Sequence, residues 1–207
     1  MPLMFQHLST CQPCGARLTK LGVKDGVSLR VPIRPYVMQD FTAFVGALYT
    51  RPSIEEAIQW TRDCMAVDEL RGINQGNVIR EFLDASEDVF VDANHEIRTV
   101  WSISWDGYNP YHNRTAGKSA SVRSLAMGCI SLPPSICYKP ENMYLGGIVP
   151  GPKQLSLDGL NLFLAPLVDV LDHSYHCRTW YSKTYEHPEG HHSHKAVVVA
   201  IADLPGS

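Results

Sequence analysis

The sequence predicts a mixed α/β (α+β) fold in which a small helical region precedes a mixed β-sheet, and the evidence is a change of hydrophobic periodicity along the chain. Apolar residues recur at helical spacing between residues 36 and 90. From residue 97 the period becomes two, as in a strand. The later run "KAVVVAIAD" is apolar on both faces, which favours a central strand covered on both sides.

The helical region contains two amphipathic segments and a shorter third. In the first segment, one apolar face is formed by residues at positions i, i+3, i+4 and i+7, namely Phe41, Phe44, Val45 and Leu48. The second begins at Ser53, three residues before Glu56, in the pattern of a capping box. A shorter helix is predicted around "NVIREFL", and the acidic residues 84–96 are predicted to form a loop.

The sheet region begins with "IRTVWSISWD", whose alternating residues form two faces. The stretch "SVRSLAMGCISL" predicts a further strand or strand pair that ends at two prolines, and "IVPGPK" predicts a rigid loop. A helix follows in "SLDGLNLFLAPLVDVLD", and we expect it to be interrupted or kinked at Pro166. The predicted faces of the first strand are Ile97, Thr99, Trp101, Ile103 and Trp105 on one side, and Arg98, Val100, Ser102, Ser104 and Asp106 on the other.

The composition fits one globular domain, with or without a small appendage. The chain has 207 residues, of which 44% are hydrophobic and 19% charged, and this excludes wholesale disorder. No run of 18 apolar residues is present, so no membrane span is predicted. The first residues lack the features of a secretion signal, and the six cysteines form no dense pattern, so we expect reduced thiols in an intracellular protein that is not secreted.

Charge is distributed unevenly, and this suggests three regions. Residues 1–35 hold five basic residues and one acidic residue, a balance of +4, and end in the proline-spaced strand "SLRVPIRPY". Residues 36–96 are helical and acidic, and residues 97–207 form the sheet region. The basic N-terminal segment either contacts a polyanion or is an ordinary solvated surface.

Two strands of the predicted sheet end in an aspartate, Asp106 and Asp203. Neighbouring strands lie about 4.8 Å apart, so carboxylates at adjacent strand ends can share a divalent cation. Mg²⁺ prefers such oxygen ligands and supports phosphoryl transfer. The alternative is that each aspartate only caps a turn.

Three other groups of residues could bind a ligand. The turn "CQPCG" places Cys11 and Cys14 at the spacing of half a zinc knuckle, although two free thiols remain the alternative. Six histidines between residues 173 and 194 lie near Cys177, either as a metal site or as part of a solvated turn. Basic and amide residues after the first strand could contact phosphates, or could form an ordinary polar loop; they are Asn109, Asn113, Arg114, Lys118 and Arg123.

Several long motifs resemble one known family. The stretches "NPYHNRTAGKS", "YKPENMYLGGIVPGPK", "LNLFLAPLVDVL" and "VAIADLPG" are similar, in this order, to the core of CACTA (En/Spm)-type transposases, particularly the expanded copies in mushroom-forming (basidiomycete) fungi. The segments "CQPCG" and "LRVPIRPYVMQDFTAFVGALYTRPSIEEAI" resemble the region before that core. The resemblance covers roughly residues 8–206.

The resemblance implies a ribonuclease H-like fold with a DDE-type site that cleaves and joins DNA strands with Mg²⁺ or Mn²⁺. By motif, Asp106 in "DGYNP" corresponds to the first acid and Asp203 in "ADLPG" to the second. DNA and other transposase subunits are the implied partners, and the implied location is nuclear or cytoplasmic. The third acid, a glutamate, should follow well beyond Asp203, whereas this chain has four more residues.

A truncated and inactive catalytic core is therefore expected, because the third acid of the triad is missing. Two alternatives remain open. The chain could be a DNA-binding or transposase-binding module without catalysis, or it could be a non-functional transposon remnant.

Overall fold

The computed structural model describes residues 9–11, 15–33, 36–64, 73–92, 95–108, 122–149 and 157–202. The chain divides into two units, Met1–Val37 and Met38–Ser207. Among the helices of these described ranges, none combines the length and the apolar character needed to cross a membrane.

The first unit contains a β-hairpin. Strand β1 (Thr19–Lys24) pairs antiparallel with β2 (Val27–Pro32). The two residues between them, Asp25 and Gly26, have φ angles of 51° and 78°, as a tight hairpin turn requires. The sequence predicts only the second of these strands, within "SLRVPIRPY"; β1 precedes it because the Asp25-Gly26 turn reverses the chain.

Two helices follow at the start of the second unit. Helix α1 (Phe41–Tyr49) begins after Asp40, whose Oδ1 accepts a hydrogen bond of 3.0 Å from the Ala43 amide. Its predicted apolar face is confirmed, since Phe41, Val45 and Leu48 are buried and Phe44 packs against the same core. Helix α2 (Ile54–Cys64) starts where predicted, but Ser53 has a φ of 64° rather than the extended conformation of a capping residue.

The described part of the segment between α2 and the sheet is partly helical. It contains a 3₁₀ turn (Ile73–Gln75), the short helix α3 (Asn77–Arg80) and then turns up to residue 92. The Asp84 carboxylate accepts hydrogen bonds from the amides of Ser86 and Asp88, at 2.8 and 3.2 Å, and so holds an acidic turn together. The predicted helix around residue 78 and the predicted loop are both confirmed over these residues.

A five-stranded mixed sheet forms the centre of the second unit, in the order β5-β4-β3-β7-β6. Only the central pair β3–β7 is parallel; the other pairs are antiparallel. Helix α4 (Pro134–Cys137) and a 3₁₀ turn (Pro140–Asn142) lie between β4 and β5, and helix α5 (Leu157–His176) lies between β5 and β6. The strands are β3 (Ile97–Tyr108), β4 (Val122–Cys129), β5 (Met143–Val149), β6 (Thr179–Tyr181) and β7 (His191–Ala202).

The sheet is covered on both faces, as the continuous apolar run of β7 predicts. On one face Trp101 packs against Phe41 of α1, with ring centroids 5.1 Å apart, and Phe41 also contacts Tyr144 of β5 at 5.0 Å. The opposite face buries Val100 of β3 in a second cluster. The other buried members of that cluster are Ile79, Phe90, Val91, Ile130 and Ala196.

Two details of the sheet region differ from the sequence prediction. Helix α5 continues through Pro166 without a break, because Leu167, directly after the proline, is fully buried against the sheet and fixes the helix by packing. The loop predicted in "IVPGPK" is wrong for Ile148 and Val149, which belong to β5. Residues 150–156 of that loop lie outside the described ranges.

Candidate functional site

The parallel pair β3–β7 brings the carboxyl ends of two strands to one edge of the sheet. Their register runs from Ile97 opposite Ser193 to Trp105 opposite Ala202. In the sequence, the next residue after Trp105 is Asp106 and the next after Ala202 is Asp203. Asp203 itself lies outside the described residues, so the structure places the first predicted acid and the strand that leads to the second.

The prediction that the first strand ends at Asp106 is wrong, because pairing with β4 continues β3 to Tyr108 and leaves Asp106 within the strand, two residues before its end. The Asp106 side chain is exposed, and the residue pairs across the sheet with Ser124 of β4. On the same face of β3, the hydroxyls of Ser104 and Ser102 donate to carbonyl oxygens of β4 at 3.2 and 3.4 Å. Among the described residues no ion pair includes Asp106. The carboxylate is therefore accessible to a cation from solvent.

The remaining predicted site residues are only partly described. Asn109, Asn113, Arg114, Lys118 and Cys14 fall outside the described residues. Cys11 is half-buried, and its carbonyl accepts a hydrogen bond of 2.7 Å from the Gly15 amide. Within the described ranges, no group of three or more histidine, cysteine, aspartate or glutamate side chains could hold a metal ion. The structure thus gives the zinc prediction and the histidine metal site no support.

A buried polar cluster lies between α1 and the central strands. The hydroxyl of Tyr49 lies 3.0 Å from that of Ser193 and 3.3 Å from that of Thr99. Beside it, Lys195 of β7 is fully buried, and its ammonium lies 4.9 Å from the centroid of the Tyr181 ring. Its Nζ has no hydrogen-bond partner within the described part of the chain, and burial lowers the pKa of Lys195 to about 7.

A charged network surrounds Glu96, at the amino end of β3. Its carboxylate lies 2.7 Å from Nε of Arg98 and 2.9 Å from Nδ1 of His194, and Arg98 reaches Asp84 at 2.8 Å. Burial alone would raise the pKa of Glu96, but the hydrogen bonds from His194 and Arg98 outweigh it and the pKa is lowered. No local pattern in the sequence indicates this network, because Glu96 and His194 are 98 positions apart.

A cleft of about 640 Å³ opens beside this network. It is lined by residues of α2, by the amino end of β3 and by the turn before β7, so it lies at the opposite end of β3 from Asp106. In it, the imidazole rings of His187 and His191 stack with centroids 4.0 Å apart and an angle of 17° between their planes. The cleft and the edge that carries Asp106 are therefore separate candidate sites.

Comparison with known proteins adds one finding. The model of the transposase family tnp2 matches residues 68–207, a range that includes all five strands of the sheet and both predicted acids. No curated protein and no solved structure matches the chain. Because the match spans more than half of the sequence, the chain belongs to the transposase family tnp2.

Proposed function

We propose that this chain is a transposase-derived protein whose sheet edge holds a divalent cation between Asp106 and Asp203, in a DDE-type site for cleavage and transfer of DNA strands. The observation that carries the proposal is the parallel register of β3 and β7. It ends at Trp105 opposite Ala202, and in the sequence each of these residues is followed by an aspartate. Adjacent strands are about 4.8 Å apart, within the reach of two carboxylates that share a cation.

The topology supports the ribonuclease H-like core that the motifs imply. Three antiparallel strands, β3 to β5, are followed by helix α5, and the chain then returns to add β7 parallel to β3. Within the transposase family we infer the CACTA (En/Spm) type, as in the fungal copies, from the motifs "NPYHNRTAGKS" and "YKPENMYLGGIVPGPK". A protein of this kind acts on DNA, with further transposase subunits as partners, and works in the nucleus or cytoplasm.

The residues at the edge suit Mg²⁺ or Mn²⁺. Carboxylate oxygens are the hard ligands that these ions prefer, and the exposure of Asp106 leaves room for water and phosphate oxygens. Such a cation polarises phosphate oxygens and activates the attacking oxygen. Asp106 and Asp203 would hold it, while Asn109, Asn113, Arg114 and Lys118 would position the DNA backbone.

Two carboxylates fix a metal ion less firmly than three, and misplacement of about 1 Å can cost on the order of 100-fold in rate. We therefore expect the 207-residue chain alone to bind Mn²⁺ weakly and to show no strand transfer. Paramagnetic relaxation of water protons by Mn²⁺ measures this binding directly. Asp106→Asn should reduce binding at least about 10-fold, since one of the two proposed ligands loses its charge. The control is Asp172→Asn, at an exposed acid of α5.

Three results would test different parts of the proposal. Mn²⁺ binding that is equal in the Asp106→Asn and Asp172→Asn variants would remove Asp106 from the metal site. Metal-dependent nicking of a DNA duplex by the unmodified chain, abolished in Asp106→Asn, would support the site but overturn the expected inactivity. DNA binding that weakens steeply with salt in both variants, without metal binding, would favour the binding-module alternative.

A further inference from the structure

The carboxylate of Asp106 is the last member of a row of polar side chains on one face of β3. The row occupies every second position of the strand, as Ser102, Ser104 and Asp106. Each serine hydroxyl donates to the carbonyl oxygen of the β4 residue directly opposite it, Gly128 at 3.4 Å and Ala126 at 3.2 Å. An ionised carboxylate only accepts hydrogen bonds, so Asp106 does not continue this pattern and needs a donor instead.

The residue opposite Asp106 carries such a donor. Asp106 pairs with Ser124 of β4 in the antiparallel register, and directly opposed residues point to the same face with Cβ atoms about 5 Å apart. At this separation a serine hydroxyl can reach a carboxylate oxygen and form a short O–H···O⁻ hydrogen bond. Ser124 is half-buried, and no hydrogen bond joins its hydroxyl to another described residue. The hydroxyl is therefore available to Asp106.

The two strands beside β3 place this hydroxyl and the proposed cation on opposite sides of Asp106. In the order of the sheet, β4 lies on one side of β3 and β7 on the other. The proposed second ligand, Asp203, directly follows the last residue of β7. One oxygen of the Asp106 carboxylate can therefore face the cation while the other accepts from Ser124. Carboxylates that bind metal ions are commonly oriented by a hydrogen bond of this kind.

We propose that Ser124 is a positioning residue of the metal site, whose hydroxyl donates to the Asp106 carboxylate and fixes the orientation in which this carboxylate binds a divalent cation. The inference rests on the proposed function, because it takes Asp106 as a metal ligand. Asp106 is exposed, so its side chain loses rotational freedom when it binds a cation. A hydrogen bond that holds the carboxylate beforehand reduces this loss and strengthens binding.

The test is a titration of the full 207-residue chain with Mn²⁺, in which the relaxation of water protons measures the bound ion. Ser124→Ala should weaken Mn²⁺ binding about 10-fold, the lower end of the range for removing a hydrogen bond to a metal ligand. Ser124→Thr keeps a hydroxyl at the same position and introduces a side chain that suits a strand, so it should restore most of the affinity.

Matched variants separate positioning from a structural role. Ser104→Ala removes a hydroxyl of the same face that donates to Ala126, and it should leave the Kd for Mn²⁺ unchanged. In urea unfolding, Ser124→Ala should lose no more stability than Ser104→Ala, because among the described residues its hydroxyl has no partner to lose. In a chain that also carries Asp106→Asn, Ser124→Ala should cause no further loss of Mn²⁺ binding, since the hydroxyl acts through that carboxylate.

Three outcomes would overturn the inference. The first is an equal Kd for Mn²⁺ in Ser124→Ala and Ser104→Ala while Asp106→Asn weakens binding, which leaves the proposed metal site intact. The second is a higher proton relaxation per bound ion in Ser124→Ala, because an additional bound water would show that the serine is itself a ligand. The third is unchanged Mn²⁺ binding in Asp106→Asn, which removes the proposed metal site and this inference together.

Discussion

The buried amine of Lys195 leads to a quantitative prediction about stability. Its side chain is 0% exposed, and the only favourable contact described for its Nζ is the face of the Tyr181 ring. A cation there lacks the hydrogen bonds that water supplies to it in the unfolded chain, and a cation–π contact recovers only part of that loss. We therefore expect Lys195→Met, which keeps a long flexible side chain without the charge, to increase the free energy of unfolding at neutral pH.

The size of the change in the free energy of unfolding follows from the shift in the pKa of the Lys195 amine. Burial lowers the pKa of Lys195 from 10.5 to about 7. The unfolded chain therefore binds more protons than the folded chain between these two values, so the free energy of unfolding rises with pH in that window. Proton linkage gives an increase of about 2 kcal/mol between pH 7 and pH 9 for this residue. Well below pH 7 the penalty is constant, because the amine is then protonated in both states.

The assay is urea unfolding, followed by tryptophan fluorescence and circular dichroism at several pH values from 6 to 9. Other groups titrate in the same range; burial raises the pKa of Cys129 to about 12, which lowers stability in alkali. Such effects are common to both proteins, so they cancel in the difference between the free energies of unfolding of the unmodified chain and Lys195→Met. Lys183→Met, at an exposed lysine, serves as the control and should show no pH-dependent difference.

The stabilisation by Lys195→Met should shrink by about 2 kcal/mol from pH 7 to pH 9. A difference that stays constant over this range would refute the reasoning, since the amine would then titrate alike in the folded and unfolded chain. A variant that is less stable than the unmodified chain at every pH would show that Lys195 has a favourable partner in the native state.

Two further predictions concern the charged network and a tight turn. Because the pKa of Glu96 is lowered in the folded chain, its contribution to the free energy of unfolding is fully present above pH 4.5 and is lost as the pH falls toward the pKa of the folded state. Glu96→Gln should therefore lower the free energy of unfolding by about 2 kcal/mol at pH 7. Urea unfolding at pH 3 to 7 should also show that this variant loses less stability in acid than the unmodified chain. An equal acid slope in both proteins would exclude Glu96 as its source. Gly190→Ala should lower the free energy of unfolding by more than about 2 kcal/mol, because Gly190 has a φ of 93° and a Cβ there would lie 2.7 Å from the Tyr181 carbonyl oxygen. A cost below that of Glu189→Ala, at the exposed neighbour, would contradict this.

Local patterns predicted the elements whose side chains repeat regularly. Helix α1 and strand β3 were predicted because their apolar residues follow the periods of a helix and a strand, and packing of Phe41 on Trp101 confirms both faces. The central position of β7 followed from its continuous apolar run. In each case the signal lies within a dozen adjacent residues.

The missed elements have weak local signals. Strand β5 contains Gly146 and Gly147, which carry no side chain and so interrupt the alternation; pairing with β4 makes it a strand. Strand β6 has three residues and depends in the same way on β7. The charged network and the cleft join residues that are distant in the sequence, such as Glu55 and Glu186, 131 positions apart. No local pattern can indicate such pairs.

The parallel pair at the centre of the sheet contains one irregularity that constrains how this sequence can change. Trp101 pairs with Val197 but Ser102 pairs with Val199, so Val198 is an extra residue in β7. If the register continued without this bulge, Ser102 would pair with Val198, and Ala202 would lie opposite Asp106 instead of opposite Trp105. Insertions and deletions of single residues between Val199 and the end of the strand should therefore be selected against, because each would move Ala202 out of register with Trp105.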